Sequence, residues 1–168
     1  TILMNTAGIN TGWRVIQGEP DFFSVTKRMH NALQGAEIRL TDLKKRIYEE
    51  VVCENALRMH LDHDVVIIHD PQPLPLINHF RKRGPWIWRC HVDMTAPDPD
   101  LWRYLSPMIE RYDAVVLSLP DYAQRLRTPQ RFIMPAINPF SLTNKELTES
   151  EIDERLERYE ASSAGKAA

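Results

Sequence analysis

The sequence predicts an α/β fold, a Rossmann-like, doubly wound and mostly parallel sheet, and three features carry that prediction. Residues 64–70, 86–90 and 114–119 are short apolar runs rich in β-branched or aromatic side chains, the pattern of strands buried in a parallel sheet. Between them lie segments of helical period, opened by capping residues or proline. Alternation of the two gives an open sheet whose ligands sit in the crevice beyond the carboxyl ends of the strands.

Residues 1–8 read as the last turns of a helix, with Gly8 at the left-handed C-cap position. Trp13-Arg14-Val15-Ile16 alternates in part and stops at Gly18, which predicts a short strand. Over residues 21–35, Phe22, Met29 and Leu33 share a helical face, with Asp21 as a start signal and Gly35 as a stop. Thr41 opens a second helix, expected to reach about Leu61, with Leu43, Ile47, Val51 and Leu57 inward. The strand at 64–70 follows, expected to be covered on both faces, and then a helix over 73–83 closed by Gly84. After the strand at 86–90, Asp98-Pro99 caps a helix through Leu101, Trp102, Leu105 and Ile109. A strand at 114–119, a shorter one at 131–134 and a charged amphipathic helix at 148–159 complete the order.

The 168 residues suit one domain, residues 1–160, with 161–168 as a tail or linker too polar to bury. Lys and Arg number 21 against 23 Asp and Glu, a net charge of −2, so no electrostatic footprint for nucleic acid or an anionic membrane is present. No apolar run approaches the roughly 20 residues that span a bilayer. Two cysteines, Cys53 and Cys90, form neither a disulfide framework nor a zinc pattern, and a cytoplasmic setting is expected.

The crevice rule selects the residues that follow each strand: His69-Asp70-Pro71-Gln72-Pro73, then Cys90-His91-Val92-Asp93, then Pro120-Asp121-Tyr122. Carboxylates, amides and imidazoles of this kind hydrogen-bond sugar hydroxyls, and glycine clusters that would cradle a phosphate are lacking. Asp70 and Gln72 also fit a plain strand-to-helix cap, and His91 and Asp93 a polar exit from a strand. Trp86 and Trp88 share one strand face, as core residues or, for Trp88, as a ring that stacks on a sugar. Arg89 faces the other way and needs either an internal carboxylate or the crevice. His60, Asp62, His63 and Asp64 are the one metal candidate, and their place at the amino end of a strand reads better as a solvated turn, so no metal site is assigned. Gly-x-Ser-x-Gly is absent, which argues against a serine triad.

At these residues the chain resembles a known family. The segments Phe22 to Lys27 and His30 to Gly35, then His69-Asp70-Pro71-Gln72-Pro73, Trp86-Ile87-Trp88-Arg89-Cys90-His91-Val92-Asp93 and Met134-Pro135-Ala136-Ile137-Asn138-Pro139, resemble in order and spacing the glycosyltransferring trehalose synthases. The related trehalose phosphorylases look similar. The resemblance implies the N-terminal, acceptor-side half of a retaining GT-B glycosyltransferase, lacking the family's first strand. Such an enzyme interconverts nucleoside-diphosphate glucose plus glucose with trehalose plus nucleoside diphosphate. It also implies His91 as the catalytic histidine beside the donor sugar, with Asp70, Gln72, Arg89, Asp93 and Trp88 around the substrates. No cofactor is expected in this chain itself. The donor, with or without a divalent cation, is expected to be held by a C-terminal domain, so the chain alone should be inactive, and a homodimer is left open. Asn138 stands where the family usually has Asp.

Overall fold

The computed structural model describes residues 2–136, 147–154 and 156. The chain divides into two compact units, residues 1–134 and 135–168. The first unit holds the sheet. Its elements are α1 (Ile2–Thr6), α2 (Pro20–Leu33), α3 (Asp42–Ala56), β1 (Val66–His69), a 3-10 turn at Leu74–Asn78, β2 (Trp86–Cys90), α4 (Pro99–Ile109), β3 (Ala114–Leu117), a second 3-10 turn at Pro120–Tyr122 and β4 (Gln130–Phe132).

All four strands run parallel in the order β1-β2-β3-β4, with Ile68 beside Trp88 and Trp88 beside Val115. This is the expected α/β, Rossmann-like arrangement. The strand order advances in one direction, and crossovers of a single hand then fall on one face of the sheet. The burial pattern agrees. Val66, Ile68, Trp86, Trp88, Cys90, Val115 and Leu117 share one core with Phe22, Met29, Leu33, Tyr48, Val52, Leu101 and Leu105 from the helices. The opposite face is more open, and Ile67 is 46% exposed, so the expectation that 64–70 is covered on both faces is not met among the described residues.

Several other expectations change. Residues 13–16 form no strand, and the chain just beyond them is held by a side chain rather than by a ladder. Asn55 on α3 accepts the Gln17 N–H at 2.8 Å and donates to the Gln17 carbonyl at 2.6 Å. The helix expected over 73–83 is only a 3-10 turn, since Pro73 and Pro75 each remove a backbone donor. α3 ends at Ala56, and its buried residues are Tyr48, Val52 and Asn55, while Leu43 and Leu57 are exposed. The N-cap of α2 is Glu19, not Asp21. Thr41 and Asp98 cap α3 and α4 as expected, each accepting from backbone N–H groups. Gly35 ends the α2 region at φ 96°, a left-handed conformation that favours glycine.

In the second unit residues 149–154 are helical, and Thr148 and Glu151 form a reciprocal cap: the Thr148 N–H donates to the Glu151 carboxylate at 2.9 Å, and the Glu151 N–H to the Thr148 hydroxyl at 3.4 Å. Asn138 and the tail at 161–168 lie outside the described residues.

Gly84 shows where backbone meets backbone. A Cβ there would lie 2.0 Å from the Asp64 carbonyl oxygen, at the point where the chain enters β2 beside the start of β1. Gly84→Ala is therefore expected to cost about 1–3 kcal/mol, the usual penalty of overpacking. A urea midpoint equal to that of the parent chain would contradict this.

Asp113 pins the same end of the sheet. Its carboxylate accepts the Trp86 N–H at 2.7 Å and pairs with Lys82 at 2.8 Å. Burial pushes its pKa up, but the Lys82 and Trp86 hydrogen bonds outweigh this and hold it below the usual carboxylate value. A carboxyl with a depressed folded pKa stabilises the fold above its unfolded value, near 3.9, and loses that contribution as pH falls through the folded value. Urea midpoints should therefore drop below about pH 4, and Asp113→Asn should flatten that drop. An unchanged acid limb in the variant would refute the assignment.

Candidate active site at the carboxyl ends of the strands

β1 is followed by Asp70, which has φ 63°, a left-handed conformation that Asp tolerates better than most residues and that turns the chain sharply out of the sheet. Three anchors fix this turn. The Asp70 N–H donates to the Arg89 carbonyl at 2.8 Å, and the buried Trp88 indole N–H donates to the Asp70 carbonyl at 2.9 Å. The buried Tyr48 hydroxyl donates to the Pro71 carbonyl. Tyr112 adds a fourth contact further on, to the Leu74 carbonyl at 2.7 Å. Burial raises the pKa of both tyrosines, so they stay protonated donors at neutral pH.

The fixed turn aims the Asp70 carboxylate at β2. Asp70 Oδ1 accepts the His91 backbone N–H at 2.9 Å and lies 3.2 Å from His91 Nδ1. On the other side of the ring, Arg89 Nε–H donates to His91 Nε2 at 3.0 Å. Arg89 and His91 are two residues apart and so share a strand face. The Arg89 guanidinium also reaches the Ile133 carbonyl with both terminal nitrogens, at 3.3 Å each. Of the two environments open to Arg89, the structure gives the crevice: no carboxylate forms an ion pair with it among the described residues.

His69 completes the cluster; it lies in the segment that the crevice rule selects, but no role was expected for it. Its ring stacks on His91 with centroids 5.7 Å apart and planes within 10°, and Trp13 leans on its other side at 5.6 Å. Burial first, then the His91 ring, lowers its pKa, so it is neutral at neutral pH. Register explains its place, since His69 pairs with Arg89 across β1 and β2. Gln72, with Trp13 and His69, lines a groove of about 270 Å³ beside β1. Ser118 is a residue that pattern did not single out. It lies one position beyond the last residue of β3, and its buried hydroxyl has no partner among the described residues.

Two expected site residues are not brought to this cluster. Trp88 is fully buried, with its ring in the core and its N–H on the Asp70 carbonyl, so it offers no face for stacking on a sugar. It supports Asp70 instead. Asp93 is exposed and turns back on Thr95, accepting its N–H at 2.8 Å and its hydroxyl at 2.6 Å, and these bonds lower its pKa. Cys90 is buried, and burial pushes its thiol up to about 12, which leaves no thiolate for nucleophilic chemistry. The residues at the metal candidate are otherwise engaged: Asp62 pairs with Arg83 at 2.6 Å, and the His60 and His63 rings meet edge to face. Among the described residues no group of three metal-ligating side chains is gathered, and no helix is long and apolar enough to cross a membrane.

This arrangement can hydrogen-bond a polyhydroxyl ligand, with imidazole, carboxylate and guanidinium meeting at one crest and the Gln72 amide in the groove beside β1. The chain is similar to several known proteins. Trehalose synthase of Thermococcus litoralis is 44% identical over 162 residues, covering 94% of this chain and 39% of that protein. Trehalose synthase of Rubrobacter xylanophilus is 39% identical over 155 residues, covering 87% and 37%. Trehalose phosphorylase of Pleurotus pulmonarius is 29% identical over 130 residues, covering 64% and 18%. The chain thus spans about two fifths of the length of the trehalose synthases it matches. Residues 1–124 match the family described as trehalose synthase, N-terminal domain, and the chain belongs to that family.

Proposed function

We propose that this chain is the acceptor-side part of a retaining glycosyltransferase that interconverts nucleoside-diphosphate glucose plus glucose with trehalose plus nucleoside diphosphate. The observation that carries the reading is the Asp70–His91–Arg89 cluster at the carboxyl ends of parallel strands, where an open α/β sheet binds its ligands. It supports a division of labour. His91 is the catalytic residue beside the donor sugar, and Arg89, Asp70 and Gln72 hold hydroxyls of the two sugars. Transfer through an oxocarbenium-like centre needs positioned dipoles and charges more than a covalent nucleophile, and the buried Cys90 thiol is consistent with that.

The remaining parts of the reading are proposals about a longer protein. Residues 1–160 form the N-terminal domain, and the donor's diphosphate, with or without a divalent cation, is held by a C-terminal domain. The family's first strand pairs with the open edge of β1, where Val65 and Ile67 are about half exposed. Slow exchange of the Ile67 amide in a longer protein, against fast exchange in this chain, would check that pairing. A second reading, with inorganic phosphate in place of the nucleotide, is favoured only by the similarity to trehalose phosphorylase.

The test is turnover of trehalose with nucleoside diphosphate, by this chain alone and by this chain fused in place of the matching region of the Thermococcus litoralis protein. Only the fusion should release nucleoside-diphosphate glucose. Turnover by the chain alone, or a folded but inert fusion, would overturn the proposal. Turnover with phosphate and not with nucleoside diphosphate would select the second reading.

A further inference from the structure

His91 is held at both ring nitrogens, and the chemistry of its two partners fixes which nitrogen carries the proton. A guanidinium can only donate, so the 3.0 Å contact from Arg89 Nε requires a bare lone pair on His91 Nε2. A neutral imidazole then carries its proton on Nδ1, which faces Asp70 Oδ1 at 3.2 Å, and a carboxylate accepts it. The two contacts demand the same tautomer. Asp70 is itself immobilised by the His91 backbone N–H and by the bonds to its own N–H and carbonyl, and Arg89 by the Ile133 carbonyl.

We propose that Arg89 is a positioning residue which, with Asp70, clamps His91 as the neutral Nδ1–H tautomer. The site then presents a matched pair to a ligand: a bare Nε2 that accepts, and beside it the Arg89 Nε–H that donates. A hydroxyl group, which donates one proton and accepts another, can insert between them and satisfy both. An ammonium finds a guanidinium in its way, and a carboxylate has no proton for Nε2. The identity of that ligand rests on the sugar reading above; the tautomer does not.

The experiment is long-range proton–nitrogen NMR on the 168-residue chain labelled at histidine, at about pH 8, above the ordinary histidine range. His91 should show a protonated Nδ1 and a bare Nε2. Arg89→Leu should shift the tautomer ratio toward Nε2–H by about threefold to tenfold, the weight of one charge-assisted hydrogen bond in a partly exposed place. A merely structural Arg89 would leave the ratio unchanged. Finding His91 as the Nε2–H form in the parent chain overturns the proposal without any variant, and so does an unmoved ratio in Arg89→Leu. An Nδ1–H tautomer in a chain that binds no glucose would count against the sugar reading and leave the clamp standing.

Discussion

Trp88→Ala is expected to destabilise the chain by about 3–5 kcal/mol, the range for deleting a fully buried aromatic side chain. Domains of this size hold about 5–15 kcal/mol in all, so the loss is a large share of the total. Trp88 is wholly enclosed between β1 and β3 on the helix-covered face, so its removal leaves a cavity that neighbouring strands cannot close without losing register. Its loss also frees the Asp70 carbonyl from its 2.9 Å bond, which loosens the left-handed turn. Trp88→Phe separates the two effects: it keeps most of the packing and drops the hydrogen bond, for about 1 kcal/mol. Urea unfolding followed by circular dichroism checks both. A loss below about 1 kcal/mol for the alanine variant would show that the ring is not the core residue described.

His91→Ala, in the fusion that restores a second domain, should lower trehalose turnover by about 100- to 1000-fold, the cost of removing one positioned hydrogen-bonding group at a reaction centre. Stability should change little, because the side chain is 40% exposed and lies outside the core. Asp70→Asn should fall between this variant and the parent, since an amide can still accept from the His91 N–H but brings no charge to the ring. The check is a full rate profile with matched melting curves. Parent-like turnover in folded His91→Ala would remove His91 from the reaction.

Why the strands were legible and some other elements were not has a physical basis. Runs such as Val66-Ile67-Ile68 and Trp86-Ile87-Trp88 carry a strong strand signal, and β1, β2 and β3 formed within such runs, while β4 lies at Gln130–Phe132, one residue earlier than expected. Trp13 to Ile16 has similar composition but joins no strand ladder among the described residues, and the adjoining Gln17 is held by Asn55, 38 residues away in sequence. A contact over that distance leaves no local pattern. The 73–83 segment failed as a helix because two prolines outweighed its apolar spacing.

The site was readable to the extent that parity and strand ends reach. Asp70, Arg89 and His91 follow from the crevice rule and from period two, and the structure brings all three together. The same parity places Trp88 with Trp86 and Cys90 in the core, so its exclusion from the site could have been reached from sequence. The stacking of His69 on His91 needed the register between β1 and β2, and Arg89's reach to the Ile133 carbonyl needed the position of the segment after β4. Neither is written in local sequence.

The central claim is that the Asp70–His91–Arg89 crest binds sugar, and the most direct measurement is a glucose titration of the labelled 168-residue chain by NMR. The account predicts saturable shifts confined to Asp70, Gln72, Arg89 and His91 and their strand neighbours. Saturable shifts centred instead on the basic surface around His60 and Arg81–Arg83, or none at any reachable glucose concentration, would contradict it.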